Sequence, residues 1–199
     1  MSHFNQMANT WDTPEKIKLS ASYAEKIKTY LPKQESLKIL EFGCGTGLLG
    51  SNFIYEKNQL TGIDTSKGML EIFEQKFSNQ KNVHSILLNL EEQDINENNF
   101  DLIISAMAFH HLIDPAKMIL KLKKLLSPNG IIAIIDLDQE DGSFHPDPKN
   151  MGVHHFGFSE EVTNSWAIKG NFPKHTREII NIMNKDKNNY PVFLAIFSN

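Results

Sequence analysis

The strongest chemical signal in this 199-residue chain is a loop of three alternating glycines, Gly43, Gly45 and Gly47, directly after the apolar run Leu37–Phe42. Glycine tolerates positive φ and lets a ligand approach the backbone closely. At the C-terminal end of a central strand, such a loop sits where open α/β sheets bind ligands. The next apolar run ends in Asp64, 17 residues beyond Gly47. A carboxylate there can accept the hydroxyl protons of a ribose. Loop and acid together point to a nucleoside-bearing cofactor without choosing it. Gly45-Thr-Gly47-Leu-Leu-Gly50 is a literal G-x-G-x-x-G, so a nicotinamide dinucleotide stays in view. Cys44, the one cysteine, reads as a small packed residue inside the loop. A lone thiol excludes an internal disulfide and any multi-thiolate metal centre.

The histidines are the remaining chemical candidates. His110 and His111 follow the fourth apolar run, at the same sheet edge as the glycine loop, and His145, His154 and His155 crowd a later loop. Histidine titrates near neutrality, so His110 or His111 could take a proton from a hydroxyl or acidic carbon. The alternative is that one packs in the core and the other orients the loop. His154 and His155, in Val153-His-His-Phe-Gly-Phe158, either line a substrate pocket with their aromatic neighbours or pack over the sheet. Phe4, Met7, Trp11 and Tyr23 either fold over the site as a lid or belong to a plain packing helix, with Trp11 the leading lid residue. Asp136, Asp138, Glu140 and Asp141 read as a solvated strand exit, and Lys117, Lys121 and Lys124 as the wet face of a helix.

Five short apolar runs must position these groups: Leu37–Phe42, Gln59–Asp64, Val83–Asn89, Phe100–Ser105 and Gly130–Asp138. Helical patterns at Leu48–Tyr55, Ser66–Phe77 and Pro115–Leu126 lie between them, and Ser127-Pro-Asn-Gly130 reads as the turn closing the last. The segment Gln93–Asn99 is too polar and short to promise a helix. Strands alternating with helices, several continuously apolar, predict a parallel sheet covered on both faces. An amphipathic helix is expected from Thr13 to Pro32, with Pro14 in its first turn. After an irregular stretch of some twenty residues, a weak helix (Ser159–Lys169) leads to Thr176–Asn184 and Tyr190–Phe197. Joined by the polar link Lys185–Asn189, these read as an antiparallel hairpin at one sheet edge.

Composition bounds the partners. With 40% hydrophobic and 22% charged residues, the chain is neither disordered nor fibrous. A net charge of −4 gives no overall pull toward nucleic acid or anionic membrane. Of the 20 basic residues only Arg177 is arginine, so a bidentate clamp on phosphate or carboxylate has one candidate. The stretch Met1–Lys16 lacks the apolar core of a leader, and no run approaches the ~18 apolar residues of a membrane span. The expectation is one soluble, cytoplasmic domain over residues 1–199: an N-terminal helical cover (1–36), a cofactor core (37–138), and a substrate-side loop, helix and hairpin (139–199).

These motifs also carry a family resemblance. Glu41-Phe-Gly-Cys-Gly-Thr-Gly47 resembles the first motif of class I S-adenosylmethionine-dependent methyltransferases, and Asp64 matches that family's ribose-binding acid. Asn89-Leu-Glu91 lies where the family contacts adenine, although many members carry Asp where this chain has Asn89. Phe100–Leu112 resembles the fourth strand and its following segment, Leu125–Gly130 the turn into the fifth, and the C-terminal hairpin the antiparallel seventh strand. Phe4–Asp12 is similar to the entry segment of small-molecule members, including those similar to quinone-biosynthesis C-methyltransferases.

The resemblance implies a three-layer, Rossmann-like α/β sandwich whose seven-stranded, mostly parallel sheet has an antiparallel C-terminal strand. It implies S-adenosylmethionine as cofactor, held by Glu41, Gly43, Cys44, Gly45, Gly47, Asp64, Thr65, Met69, Asn89, Leu90 and Ser105. It leaves His110 and His111 as catalytic candidates, and Trp11, His154 and His155 as substrate contacts. No metal is expected: catechol-type members need an acid after strand four, where this chain has Ser105 and Ala106. The implied reaction is displacement of the sulfonium methyl by O, N, C or S of an acceptor. With only the N-terminal segment and one loop left as cover, a small acceptor is expected. Two competitors remain, an NAD(P)-binding oxidoreductase and a non-catalytic module that keeps the cofactor fold. The first would need a second nucleotide-binding half or a catalytic Tyr/Lys or His constellation, and neither is evident.

Overall fold

Isoleucine, leucine and phenylalanine fill the central strands so densely that both faces must be covered, and the architecture follows from that need. A computed structural model of the chain describes residues 3–31, 35–55, 57–185 and 187–199. Seven strands form one sheet: β1 (Lys38–Phe42), β2 (Gln59–Asp64), β3 (Val83–Leu87), β4 (Phe100–Ala106), β5 (Leu126–Leu137), β6 (Lys174–Lys185) and β7 (Asn188–Ser198). Their order is β3-β2-β1-β4-β5-β7-β6. The first five strands are parallel, and β7 runs antiparallel between β5 and β6.

Successive side chains alternate between the faces. Ile39, Leu102, Ile104, Ala133 and Ile135 join Tyr23, Ala24, Ile27, Leu70 and Phe73 in one core. Leu40, Ile103, Ile132 and Ile134 join Met118, Ile119, Leu122 and Trp166 in the other. The first layer is therefore α2 (Pro14–Lys28) with α3 (Lys67–Lys76), and the opposite layer α4 (Pro115–Leu125) with α5 (Glu160–Lys169). A five-residue helix, α1 (His3–Met7), precedes them. Each longer helix starts at a capping oxygen, Thr13, Ser66, Asp114 or Ser159, that accepts the N–H three residues on. The fold expected from the sequence is the fold observed.

Three local expectations change. Leu48–Tyr55 is not an α-helix but a turn followed by a 3₁₀ segment, Gly50–Phe53. Ser51 Oγ and Asn52 Nδ2 donate back to the Leu48 carbonyl at 2.8 and 2.9 Å, competing with helical propagation. Ser127-Pro-Asn-Gly130 does not close α4 as a turn but lies inside β5 as an irregularity. Pairing jumps from Phe100↔Leu126 to Leu102↔Ile131, around a proline that cannot donate to the ladder. The hairpin strands run on through Lys185 and Asn188, leaving a two-residue link in place of five. Pro32, the expected end of the first helix, and Asp186 of the link lie outside the described residues. Among the described residues no helix is long and apolar enough to cross a membrane.

After β3 the chain returns to pair β4 beside β1, which puts the reversal of strand order between β1 and β4. Open α/β sheets bind ligands outside the carboxyl ends of strands at such a point. The glycine loop leaves β1 there.

Candidate functional site

A cavity of about 610 Å³ opens above the carboxyl ends of β1, β2 and β4, roofed by the N-terminal segment and by residues 144–154. Its floor is shaped by backbone. Gly43 has φ +65°, and a Cβ there would stand 2.5 Å from Ala108 Cβ, so no other residue fits. Gly45 has φ +52° but faces open space: an added Cβ would meet only Met69 Sδ at 3.9 Å and Trp11 Nε1 at 4.0 Å. That opening is a cradle in which a ligand can rest directly on the chain.

Two carboxylates anchor the loop. Asp64 accepts the Gly45 N–H on Oδ2 at 2.7 Å and the Ser66 N–H on Oδ1 at 2.8 Å. Each oxygen retains lone-pair capacity for a ligand hydroxyl. Burial raises its pKa against the lowering effect of those N–H donors. Glu41 is buried behind the loop, accepting the Gly50 N–H on Oε1 at 3.1 Å while Oε2 has no partner. Burial pushes its carboxyl up to about 8. A Cβ on Gly50 would strike that carboxylate, so this glycine seats the acid. Burial also raises the Cys44 thiol, leaving it protonated and inert.

The opposite wall is built from side chains. His110 is buried on the 3₁₀ turn Phe109–His111, its Nδ1 2.7 Å from Asp136 Oδ1. Asp136 is completely buried and also accepts the backbone N–H groups of Phe109, His110 and Leu137. The His110 Nδ1–H therefore donates to Asp136, and Nε2 is buried without a partner. His111 donates from Nδ1 to the Gly152 carbonyl at 2.9 Å. His145 stacks near both, with ring centroids 4.9 Å from His110 and 6.0 Å from His111. One ring nitrogen from each of the three lies within 4.8 Å of the others. Burial lowers His111 and His145 to about 4, so both are neutral at pH 7.

The N-terminal segment closes the top. Asn5 Oδ1 receives the Ser66 hydroxyl and the Gly68 N–H, at 2.7 and 2.8 Å. Asp12 pairs with Lys76 Nζ at 2.6 Å and accepts the Thr46 hydroxyl. Phe4 meets both Trp11 and His111 edge-on, and Lys16 Nζ lies 3.3 Å from the Trp11 ring centre. The sequence left a lid and a packing helix as alternatives. His3, Phe4 and Trp11 border the cavity, and so do Lys16, Leu19, Ser20 and Tyr23 of α2, which also buries Ala24 and Ile27.

Of the residues singled out by sequence, Trp11, Glu41, Gly43, Cys44, Gly45, Asp64, Thr65, Met69, Asn89, Leu90, His110, His111 and His154 line the cavity. Three do not. Gly47 lies against Phe73 and Phe77, where a Cβ would come within 2.7 Å of each ring, so it serves helix packing. Ser105 points into the sheet's buried interior, because neighbours on a strand face opposite ways and Ala106 takes the cavity side. His155, in the loop after β5, packs its ring against Phe158 instead, 5.3 Å between centroids. Asn89 Oδ1, the expected adenine contact, already accepts the Glu91 N–H at 3.0 Å.

The acidic run after β5 is likewise not a solvated exit. Asp136 is the buried partner of His110, and Asp138 pairs with Arg177 at 2.8 Å. The lone arginine also donates to the Phe158 carbonyl, so it pins the loop instead of clamping a ligand. Lys121 leaves the wet face of α4 to donate to the Leu90 and Gln93 carbonyls, tying the helix to the cavity rim. Sequence reasoning missed Asp136 as a site residue and placed His145 only among the loop histidines that could take a proton. For Asp136 a signal existed: an acid embedded in Ile131–Leu137 must find partners or lose its charge. Met107, held at φ +55° on the cavity wall, had none.

Comparison with known proteins adds three findings. Residues 40–134 match the methyltransferase domain family. The chain is 34% identical over 144 residues to an uncharacterized methyltransferase of Schizosaccharomyces pombe, covering 65% of this chain and 51% of that protein. It is 29% identical over 157 residues to the ubiquinone/menaquinone biosynthesis C-methyltransferase of Campylobacter jejuni, covering 71% of this chain and 65% of that protein. The chain thus spans about half to two thirds of the length of these curated relatives. Among solved structures, a SAM dependent methyltransferase from Aquifex aeolicus aligns with TM-score 0.66 at 23% identity, over 97% of this chain and 98% of that one. At that identity the likeness is one of fold.

Proposed function

Because the chain belongs to the class I S-adenosylmethionine-dependent methyltransferase family, we propose that it binds S-adenosylmethionine at the glycine loop and transfers its methyl group to a small acceptor. The observation that carries this reading is the open cradle over Gly45, beside an Asp64 whose oxygens keep spare lone pairs. Gly43 and Gly45 let the loop backbone approach the cofactor. Asp64 accepts the ribose hydroxyls, Thr65 and Met69 flank it, and Leu90 with Asn89 frames the adenine. The bound cofactor supplies an already activated methyl group on sulfur. The protein's work is therefore to hold the acceptor in line and exclude water.

The acceptor faces the opposite wall, among His110, His111, His154 and Trp11. His110, with its tautomer set by Asp136 and Nε2 unpaired, is the group best placed to engage the acceptor's nucleophilic atom. His111 braces the roof through Phe4. The cavity of about 610 Å³ has Lys16 and Lys185 as the lysines of its described lining, and the chain carries a net charge of −4, which supports a small molecule over a nucleic-acid polymer. Calorimetry with S-adenosylhomocysteine and with NADH tests the cofactor. We expect micromolar binding of the first only; binding of NADH alone would end the reading. A screen of small acceptors with methyl-labelled S-adenosylmethionine then tests the transfer.

A further inference from the structure

We infer that His110, His111 and His145 form a binding site for one divalent transition-metal ion of the zinc type, open to the cavity. The inference deepens the acceptor half of the function proposed above and rests on it for what the ion would do.

Imidazole nitrogen suits zinc and its neighbours in the transition series. A bound histidine almost always has its other nitrogen held by a carboxylate or backbone carbonyl, which fixes tautomer and ring orientation. Both arrangements exist before any ion is considered: Asp136 holds His110 Nδ1 at 2.7 Å, and the Gly152 carbonyl holds His111 Nδ1 at 2.9 Å. In each ring the remaining nitrogen is Nε2. That of His110 is buried without a hydrogen-bond partner, and so is Nδ1 of His145. Leaving such buried atoms unpaired is unfavourable, and a metal ion is one way to satisfy them.

Geometry agrees with the chemistry. One ring nitrogen from each of the three histidines lies within 4.8 Å of the other two. Tetrahedral zinc with bonds of about 2.0–2.1 Å needs nitrogens roughly 3.3 Å apart. With His110 and His111 held by Asp136 and Gly152, movement of His145, which sits on a loop, would close that difference. No fourth His, Cys, Asp or Glu joins the group among the described residues. Three protein ligands with an open fourth position is the pattern of a catalytic zinc site, whereas structural sites are closed. The other acids of the run after Asp136 are committed elsewhere. Asp138 is paired with Arg177, Glu140 accepts the N–H groups of Gly142 and Phe144, and Asp141 accepts Ser143. An ion at the open position would orient an acceptor oxygen, nitrogen or sulfur directly, with the imidazoles acting as ligands.

The test uses the full, untagged chain stripped by chelator and titrated with Zn²⁺, then with Co²⁺ as a spectroscopic probe. We expect one equivalent of Zn²⁺ bound at micromolar or tighter affinity, and visible Co²⁺ absorption of a nitrogen-ligated, four-coordinate ion. His145→Ala should weaken Zn²⁺ binding more than about 30-fold, and Asp136→Asn about 10- to 100-fold through loss of ring orientation. S-adenosylhomocysteine affinity of His145→Ala should stay within about twofold of the parent, reporting an intact fold. Failure to take up one equivalent of Zn²⁺, or equal uptake by parent and His145→Ala, overturns the site. Loss of S-adenosylhomocysteine binding by the parent would instead overturn the cofactor reading, so the two failures are distinct.

Discussion

The two walls of the cavity are made by different means. The β1–β2 side is backbone: glycines at positive φ, N–H groups aimed at Asp64, and little that a side chain could do better. The β4–β5 side is side chain: three histidines and one buried aspartate, drawn from a 3₁₀ turn, a strand end and a distant loop. A backbone wall suits a cofactor whose shape never changes, because its precision comes from φ and ψ and costs no rotamer entropy. A side-chain wall suits an acceptor, since it can change without disturbing the sheet. The difference teaches that the two walls are built from different atoms, backbone on one side and side chains on the other.

Substitutions can break that separation. The largest effect is expected from Gly43→Val. A side chain at φ +65° with Ala108 Cβ 2.5 Å away must displace the loop, so S-adenosylhomocysteine affinity should fall more than about 100-fold by calorimetry. A second weakness of the backbone wall is Glu41. Its carboxyl is held near 8, above the ordinary 4.5, by burial. Between those values the folded protein keeps a proton that the unfolded chain has lost, so stability falls as pH rises. From pH 6 to 9 the loss should be roughly 2–3 kcal/mol, and Glu41→Gln should flatten that slope in denaturant titrations.

A paired substitution sharpens the contrast. Asp64→Ala should weaken S-adenosylhomocysteine binding by about 1–3 kcal/mol, roughly 5- to 150-fold, and lower thermal stability as well, because the Gly45 and Ser66 N–H groups lose their acceptor. Asp136→Asn should cost stability alone. It places an amide N–H₂ where carboxylate oxygens now accept backbone N–H groups, costing about 1–3 kcal/mol of stability by chemical unfolding, while S-adenosylhomocysteine affinity holds within about threefold. If both variants lose cofactor binding equally, the two walls are one unit and the contrast fails. The smallest effect is expected at the roof. Asp12→Asn weakens a half-exposed tie to Lys76 and Thr46, so S-adenosylhomocysteine should dissociate about 2- to 5-fold faster in stopped-flow chase experiments.

The legibility of the molecule divides along the same line. Gly43, Gly45 and Asp64 were readable because each acts where it stands: a positive-φ loop after a strand and an acid ending the next strand are local facts. Gly47 and Gly50 show the limit, since nothing local says that one packs on Phe73 and Phe77 while the other seats Glu41. Ser105 failed by one residue of strand alternation, the step that moves a side chain from cavity to core, and His155 by the course of a loop that carries no such period. The expected helix at Leu48–Tyr55 gave way to Ser51 and Asn52 bonding to the Leu48 carbonyl, a competition that apolar spacing does not reveal.

Sequence by itself determined the sheet, its order of apolar runs, the antiparallel hairpin, and a nucleotide-type loop at the head of β1. These depend on periodicity and on glycine's backbone freedom, both written into neighbouring residues. Only the tertiary structure decided that Asp136, 26 residues from His110, would hold it, and that His145 would face both histidines. Those meetings depend on how strand ends, a short turn and a long loop converge in space. No local property of the chain encodes that convergence, because it is set by the packing of the whole sheet.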